Sequence, residues 1–183
     1  MADPTRHAVE IARLKQRLRS GIDERNNIAC EYRMMGNHRR AFEWWQRAAT
    51  GYDHGVFLEI GYCYQYGIGV RRDLHAARAA YRAAVRGYWI CEHDQEEALY
   101  HLAIACLDQN RGRRSRLRAA ELLRSANADG DYPQAADLLD QLESGRPLVL
   151  CRCRRFLRRS VGGKAQCPLH FRKTQPRARG VPR

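Results

Sequence analysis

Along the first 145 residues, apolar and small side chains recur at helical spacing, broken by polar stops of Gly, Asp, Asn and Pro. Val9, Ile11, Leu14 and Leu18 give one apolar side to a helix over 4–20, opened by Asp3-Pro4 and closed by Gly21. Ile28, Ala29 and Tyr32 fall in a second helix over 23–35, and a turn at Gly36-Asn37 leads into a third over 38–50. Helices over 53–66 and 74–86 follow. Beyond a longer connection from Tyr88 to His93, Asp94 is expected to cap a helix whose packing face is Ala98, Leu102, Ala103 and Cys106. The next begins at Arg116 and carries Ala119, Leu123 and Ala126. Asp131-Tyr132-Pro133 opens the last, with Ala135, Leu138, Leu139 and Leu142 on its apolar side, and Gly145-Arg146-Pro147 is a linker. Val, Ile and Phe are sparse in this stretch while Ala and Leu dominate, which also favours helix.

The pattern contains itself. Residues 41–52 align with 77–88 at a constant shift of 36, pairing Ala41 with Ala77, Trp45 with Tyr81, Ala48 with Ala84, Gly51 with Gly87 and Tyr52 with Tyr88. A fixed period in the thirties on helical spacing marks stacked helix pairs. Ile28, Ala29 and Tyr32 precede Ile60, Gly61 and Tyr64 by 32 residues. The shortfall of four arises because the Gly67–Val70 loop has no counterpart in the first pair. The third pair, with Ala119, Leu123, Ala126 and Gly130, keeps the stripe but replaces the loop with residues 110–115.

The run Ile60-Gly61-x-x-Tyr64-x-x-Gly67-x-Gly69-Val70-x-x-Asp73-x-x-x-Ala77-x-x-x-Tyr81-x-x-Ala84 resembles a Sel-1-like repeat, a relative of the tetratricopeptide repeat. The resemblance extends over about 23–143, three units and a closing helix. It implies an all-α fold, an α/α superhelical solenoid of helix pairs, acting as a protein–protein interaction adaptor and not as an enzyme. The residues themselves explain the motif. Gly61 lets two helices approach, Gly67 and Gly69 permit a positive-φ loop, and Asp73 can cap the next helix. Ala77, Tyr81 and Ala84 form the stripe that packs back. The resemblance also implies that the first helix of each pair lines a groove. Tyr62, Tyr66, Tyr100 and Ile104 would then face a partner protein as an apolar and hydroxyl-bearing surface. The alternative for Tyr62 and Tyr66 is packing against the neighbouring repeat.

Charge divides the chain. Of 33 basic residues, 12 lie in 146–183, which has no Asp or Glu, whereas 1–145 carries 21 basic against 20 acidic residues. Two domains are expected: a helical repeat domain over 1–145 and a basic tail over 146–183. The seven cysteines are an odd number, mostly single in helical segments, and Met1 to His7 opens no apolar signal core. No stretch approaches membrane-spanning length. A cytoplasmic setting with reduced thiols and no membrane partner follows as the expectation. Cys30, Cys63 and Cys106 fit as small buried hydrophobes.

Catalytic constellations are missing from the repeat sequence: Gly67-Ile68-Gly69 joins two helices and follows no strand, and no nucleophile motif occurs. Cys91-Glu92-His93 supplies too few ligands for zinc. The tail is richer. Cys151-Arg152-Cys153 precedes Cys167-Pro168-Leu169-His170 by 13 residues, a C-x-C…C-x-x-H set of four ligands suited to one tetrahedral Zn2+. Gly162-Gly163 between them would turn a short hairpin, so a zinc-bound hairpin similar to a one-site zinc ribbon is expected. A basic tail with three free thiols is the alternative; its few apolar residues would not fold without metal. Arg152, Arg154, Arg155, Arg158, Arg159 and Lys164, with further basic residues to Arg179, suit an acidic protein surface or the phosphates of a nucleic acid.

Overall fold

A computed structural model of the chain describes residues 4–51, 53–88, 90–109, 112–145 and 148. Among them are eight helices and no strand: α1 (Pro4–Arg19), α2 (Arg25–Met34), α3 (His38–Ala48), α4 (Val56–Tyr66), α5 (Leu74–Val85), α6 (Glu92–Gln109), α7 (Arg113–Ala126) and α8 (Pro133–Glu143). The chain divides after Leu148, and everything described below lies on the N-terminal side of that division. The expected zinc-bound hairpin falls within 149–183, outside the described residues.

Each helix packs on the next in sequence, and α4 also reaches α6. The pairs α2–α3, α4–α5 and α6–α7 are the three expected units. α1 packs on α2 as the second helix of a preceding unit would, and α8 packs on α7 as the first helix of a following one. The array is therefore closed at each end by half a unit.

The repeated stripe is a stripe of burial, at a shift of 36 residues from the first pair to the second and 42 from the second to the third. Ala41, Trp45 and Ala48 on α3, Ala77, Tyr81 and Ala84 on α5, and Ala119, Leu123 and Ala126 on α7 are all buried. At the matching place on the first helix of each pair is a small residue, Ala29, Gly61 and Ala103, all buried. The fit is tightest in the middle unit. A Cβ at Gly61 would lie 2.6 Å from Tyr81 Cδ1 and closer still to Cε1, so α4 and α5 meet there only because residue 61 has no side chain. The Tyr81 hydroxyl donates to Gln65 Oε1 at 2.6 Å, which satisfies both groups in the interior.

The loop between α4 and α5 follows its sequence closely. Gly67 takes φ +69° and ends α4, where the Ile68 amide donates to the Cys63 carbonyl at 2.9 Å. Gly69 takes φ +70° and lies against α3: a Cβ there would be 2.8 Å from Arg39 N and nearer to the His38 carbonyl. Asp73 caps α5, its carboxylate accepting from the His75 and Ala76 amides at 2.8 and 3.0 Å. In the first unit Asn37 does the same for α3, accepting from Arg40 N at 3.2 Å. The Asn37 and Asp73 amides donate at 2.9 Å to the carbonyls of the matching residues Tyr32 and Tyr64. The four extra loop residues thus bulge out between two points that keep one geometry.

Several boundaries differ from expectation. α6 begins at Glu92, not after an Asp94 cap. Cys91 holds the capping place, and its sulfur accepts from the Asp94 amide at 3.4 Å. α7 begins at Arg113, three residues before Arg116, because Gly112 adopts an extended conformation and leads directly into the helix. α2 starts at Arg25, since Asp23 pairs with the Arg25 guanidinium at 2.7 Å. α4 starts at Val56, since Asp53 forms a local turn with the Gly55 amide at 3.0 Å. On α1, Ile11 and Leu14 are buried while Val9 is 66% exposed. The buried face is continued instead by His7, bonded to Glu31 at 2.6 Å, and Lys15, bonded to the Tyr32 hydroxyl at 3.1 Å.

Candidate functional site

The four residues expected to line a groove do not share one surface. Tyr62 and Tyr100 are each 5% exposed, Ile104 is 3% exposed, and Tyr66 alone is half-buried. The Tyr62 hydroxyl donates to the Glu97 carboxylate, and its ring meets His101 edge-on at 4.5 Å and Tyr81 at 6.1 Å. The Tyr100 ring packs on His101 at 5.1 Å and Tyr132 at 5.5 Å. Burial, and then the charge of Glu97, holds the Tyr62 hydroxyl well above its ordinary pKa; burial does the same at Tyr81. For Tyr62, packing against the next repeat is the role the geometry displays. Tyr62, Tyr100 and Ile104 are buried in the chain as it stands, where a partner-facing position was expected. The reason is α6: from Ala98 to Leu107 every residue but Leu99 is buried, so this helix has no open face along those turns.

The cysteines of the repeats are thiols. Cys63 is fully buried, and burial pushes its pKa up to about 12, so it stays protonated and inert. Cys106 is buried and Cys30 half-buried; burial is the main cause that raises the Cys30 thiol. Cys91 is exposed and serves as a cap, and no group of three His, Cys, Asp or Glu suited to a metal occurs among the described residues. Cys151, Cys153, Cys167 and His170, and the basic residues Arg152, Arg154, Arg155, Arg158, Arg159 and Lys164, lie outside the described residues.

Polar contacts tie the units together. Arg33 on α2 reaches Glu59 on α4 at 2.9 Å and stands 5.6 Å from the Trp45 ring centre. Arg72 donates to the Gln65 carbonyl at 2.9 Å and pairs with Asp108 on α6, which pins the loop after α4 to the following unit. Beside this pinned loop is an open depression of about 680 Å³, lined by Tyr64, Val70, Arg71, Arg72, Asp73, Leu74 and His75. The sequence places Tyr64, Leu74 and His75 on the two helices, Val70 to Arg72 in the turn and Asp73 at the cap, without joining them into one surface. The available signal was Val70-Arg71-Arg72 following two glycines, an apolar residue and two cations placed on a protruding loop.

The repeats can now be placed among known proteins. The Sel1 repeat profile matches residues 32–53, 58–87, 77–110 and 96–131, together just over half of the chain. The chain belongs to the Sel1-repeat family. The match over 58–87 spans α4 and α5 with Gly61, Gly67, Gly69, Asp73, Ala77, Tyr81 and Ala84. The match over 96–131 spans most of α6 and all of α7, and the one over 77–110 joins α5 to α6 across a unit boundary. α1 and α8 lie outside the matched residues, so the Sel1 resemblance is narrower than 23–143. Comparison with curated proteins and with solved structures returns no match. Sel1 repeats generally mediate protein–protein interaction, and a protein partner is what membership implies here.

Proposed function

We propose that this protein is a non-enzymatic adaptor. Its Sel1 repeats hold a partner protein, and its cationic tail, stabilised by zinc, docks on an acidic surface. The observation that carries the reading is the three-unit array of close-packed helix pairs, in which the repeated residues build a scaffold between neighbours. A second reading, in which the tail carries a nucleic-acid-binding activity, is favoured by one feature: 12 basic residues and no acidic ones in 146–183. No helix of the described residues is long and apolar enough to cross a membrane. The place of action in this reading is the cytoplasm, on the odd cysteine count and the mostly single placement of the cysteines along the sequence.

Affinity capture with full-length protein and with residues 1–145, both under nuclease treatment, tests the reading. The adaptor is supported when both forms retain the same protein partner. It is overturned when capture requires 146–183 and disappears with nuclease. For the zinc site, the ligands are Cys151, Cys153, Cys167 and His170. Metal analysis of reduced protein is expected to give about one zinc per chain, lost in Cys151→Ser and Cys167→Ser. A stoichiometry near zero in the unaltered protein removes the site.

A further inference from the structure

We propose that the depression beside the α4–α5 loop is a docking site for a short acidic peptide segment of the partner protein, anchored by one apolar side chain. This deepens the adaptor reading and rests on it.

The floor of the depression is apolar. Tyr64, Val70 and Leu74 are each half-buried, and Tyr64 is braced from beneath by Phe42, whose ring meets it edge-on at 5.2 Å. Val70 packs on the same core. One side of the floor therefore rests on rigid core and the other faces solvent, as an anchoring pocket requires.

The rim carries an exposed arginine and an exposed histidine. Arg71 and His75 are exposed, and both stand close enough to Asp73 to help hold its carboxyl below the ordinary range, after the larger effect of the Ala76 amide. The single acidic residue in the lining is engaged. The Asp73 carboxylate accepts from the His75 and Ala76 amides at the start of α5, where the helix end offsets its charge. Arg72 is held by Asp108 and the Gln65 carbonyl. It fixes the shape of the loop and leaves Arg71 and His75 to meet a ligand. Gly69 sets the loop against the His38–Arg39 backbone at the start of α3, where Arg39 and Arg40 each pair with Glu43 at 3.3 Å. An apolar floor beneath the exposed Arg71 guanidinium and the His75 imidazole complements a peptide carrying one Leu- or Phe-sized residue flanked by Asp or Glu, the arginine supplying the charge and the imidazole a hydrogen-bonding edge. The depression, about 680 Å³ in volume and open to solvent, suits an extended peptide better than an enclosed small molecule.

The surface depends on the four residues by which the second unit exceeds the first. In the first unit the chain turns at Gly36-Asn37, and its cap keeps the hydrogen bond that Asp73 keeps. The extra residues are not needed to join the helices; they place Val70 and Arg71 beside Tyr64.

The test is a titration of full-length, isotope-labelled protein, read by the backbone amide signals of 64–75. The probe is Ac-Asp-Glu-Leu-Asp-Glu-NH2 at about 150 mM salt, which screens exposed charges beyond roughly 8 Å. Saturable shifts centred on Val70–His75 are expected. Binding at these amides should weaken about tenfold in Arg71→Glu and by a similar factor when the peptide's Leu becomes Ser. His75→Glu, at another exposed position, provides a second variant expected to weaken it. The cationic tail adds the same background to every variant, so the site is judged only by these amides. The inference is overturned if the 64–75 signals do not move. It is equally overturned if they move as strongly with Ac-Lys-Lys-Leu-Lys-Lys-NH2, with inorganic phosphate or with a short oligothymidylate. Partner capture by 1–145 that is unchanged in Arg71→Glu also removes this site while leaving the adaptor reading intact. Loss of capture by unaltered 1–145 falls on the adaptor reading itself.

Discussion

At the scale of the residue, the contact between Gly61 and Tyr81 carries the most consequence. Gly61→Ala adds a Cβ that meets the Tyr81 ring, and Tyr81 is buried with its hydroxyl held by Gln65, so the ring has no room to withdraw. Overpacking of this kind costs about 1–3 kcal/mol, against roughly 1 kcal/mol gained from replacing glycine inside a helix. Net destabilisation is expected in urea unfolding. In a Tyr81→Ala background the same substitution should become neutral or stabilising, because the obstructing ring is gone. Equal effects in the two backgrounds would refute the contact. Asp73 gives a pH-dependent counterpart. Its folded pKa lies below the ordinary carboxylate value, first because the Ala76 amide bonds to the charged form. Its contribution is therefore complete above about pH 4 and is lost as acidification carries it through the lower folded value. Asp73→Asn keeps a cap but no titrating group, so its stability should fall less steeply below about pH 4 than that of the unaltered protein. These two residues were legible in the sequence because the motif needs them for local reasons: one side chain too many at 61, one amide acceptor at 73. The burial of Tyr62, Tyr100 and Ile104 was not legible, because periodicity identifies the helix a residue belongs to but not whether the next helix closes over it. Cys91 was missed as a cap because cysteine rarely fills that place and Asp94 offered a more familiar one.

At the scale of the element, the repeat tolerates insertion where its backbone bonds do not change. Tyr32 to Asn37 and Tyr64 to Asp73 have the same carbonyl-to-amide bond at 2.9 Å across turns of different length. Replacing Gly67–Arg72 by Met-Gly, the pair that precedes Asn37, should therefore give a folded protein with unchanged far-ultraviolet helicity. The variant will be less stable, because Val70 leaves the core cluster and the Arg72–Asp108 pair is lost. A loss of helicity in α4 or α5 would show that the loop is needed to align them. The sequence disclosed this loop by its glycines and its four-residue excess. The depression beside it was not legible, since that depends on Gly69 resting against α3, a contact between units that no single repeat records. The early start of α7 at Arg113 was hidden for a related reason: Asn-Arg-Gly-Arg-Arg-Ser lacks an apolar residue from which to count turns.

At the scale of the molecule, sequential packing makes the stability of the repeats a sum of neighbouring interfaces. The half-units α1 and α8 close the ends. Exposed on them are Arg6, Val9 and Arg13 on α1 and Asp137 and Asp140 on α8. The charge boundary near residue 145 separates this near-neutral array from a segment of one sign, and the proposed roles divide the same way. The most direct measurement is calorimetric titration of the captured partner into full-length protein and into residues 1–145. The account predicts dissociation constants equal within about threefold, with the same salt dependence in both forms. A loss of more than about tenfold on removing 146–183, with steep weakening as salt rises, would contradict it.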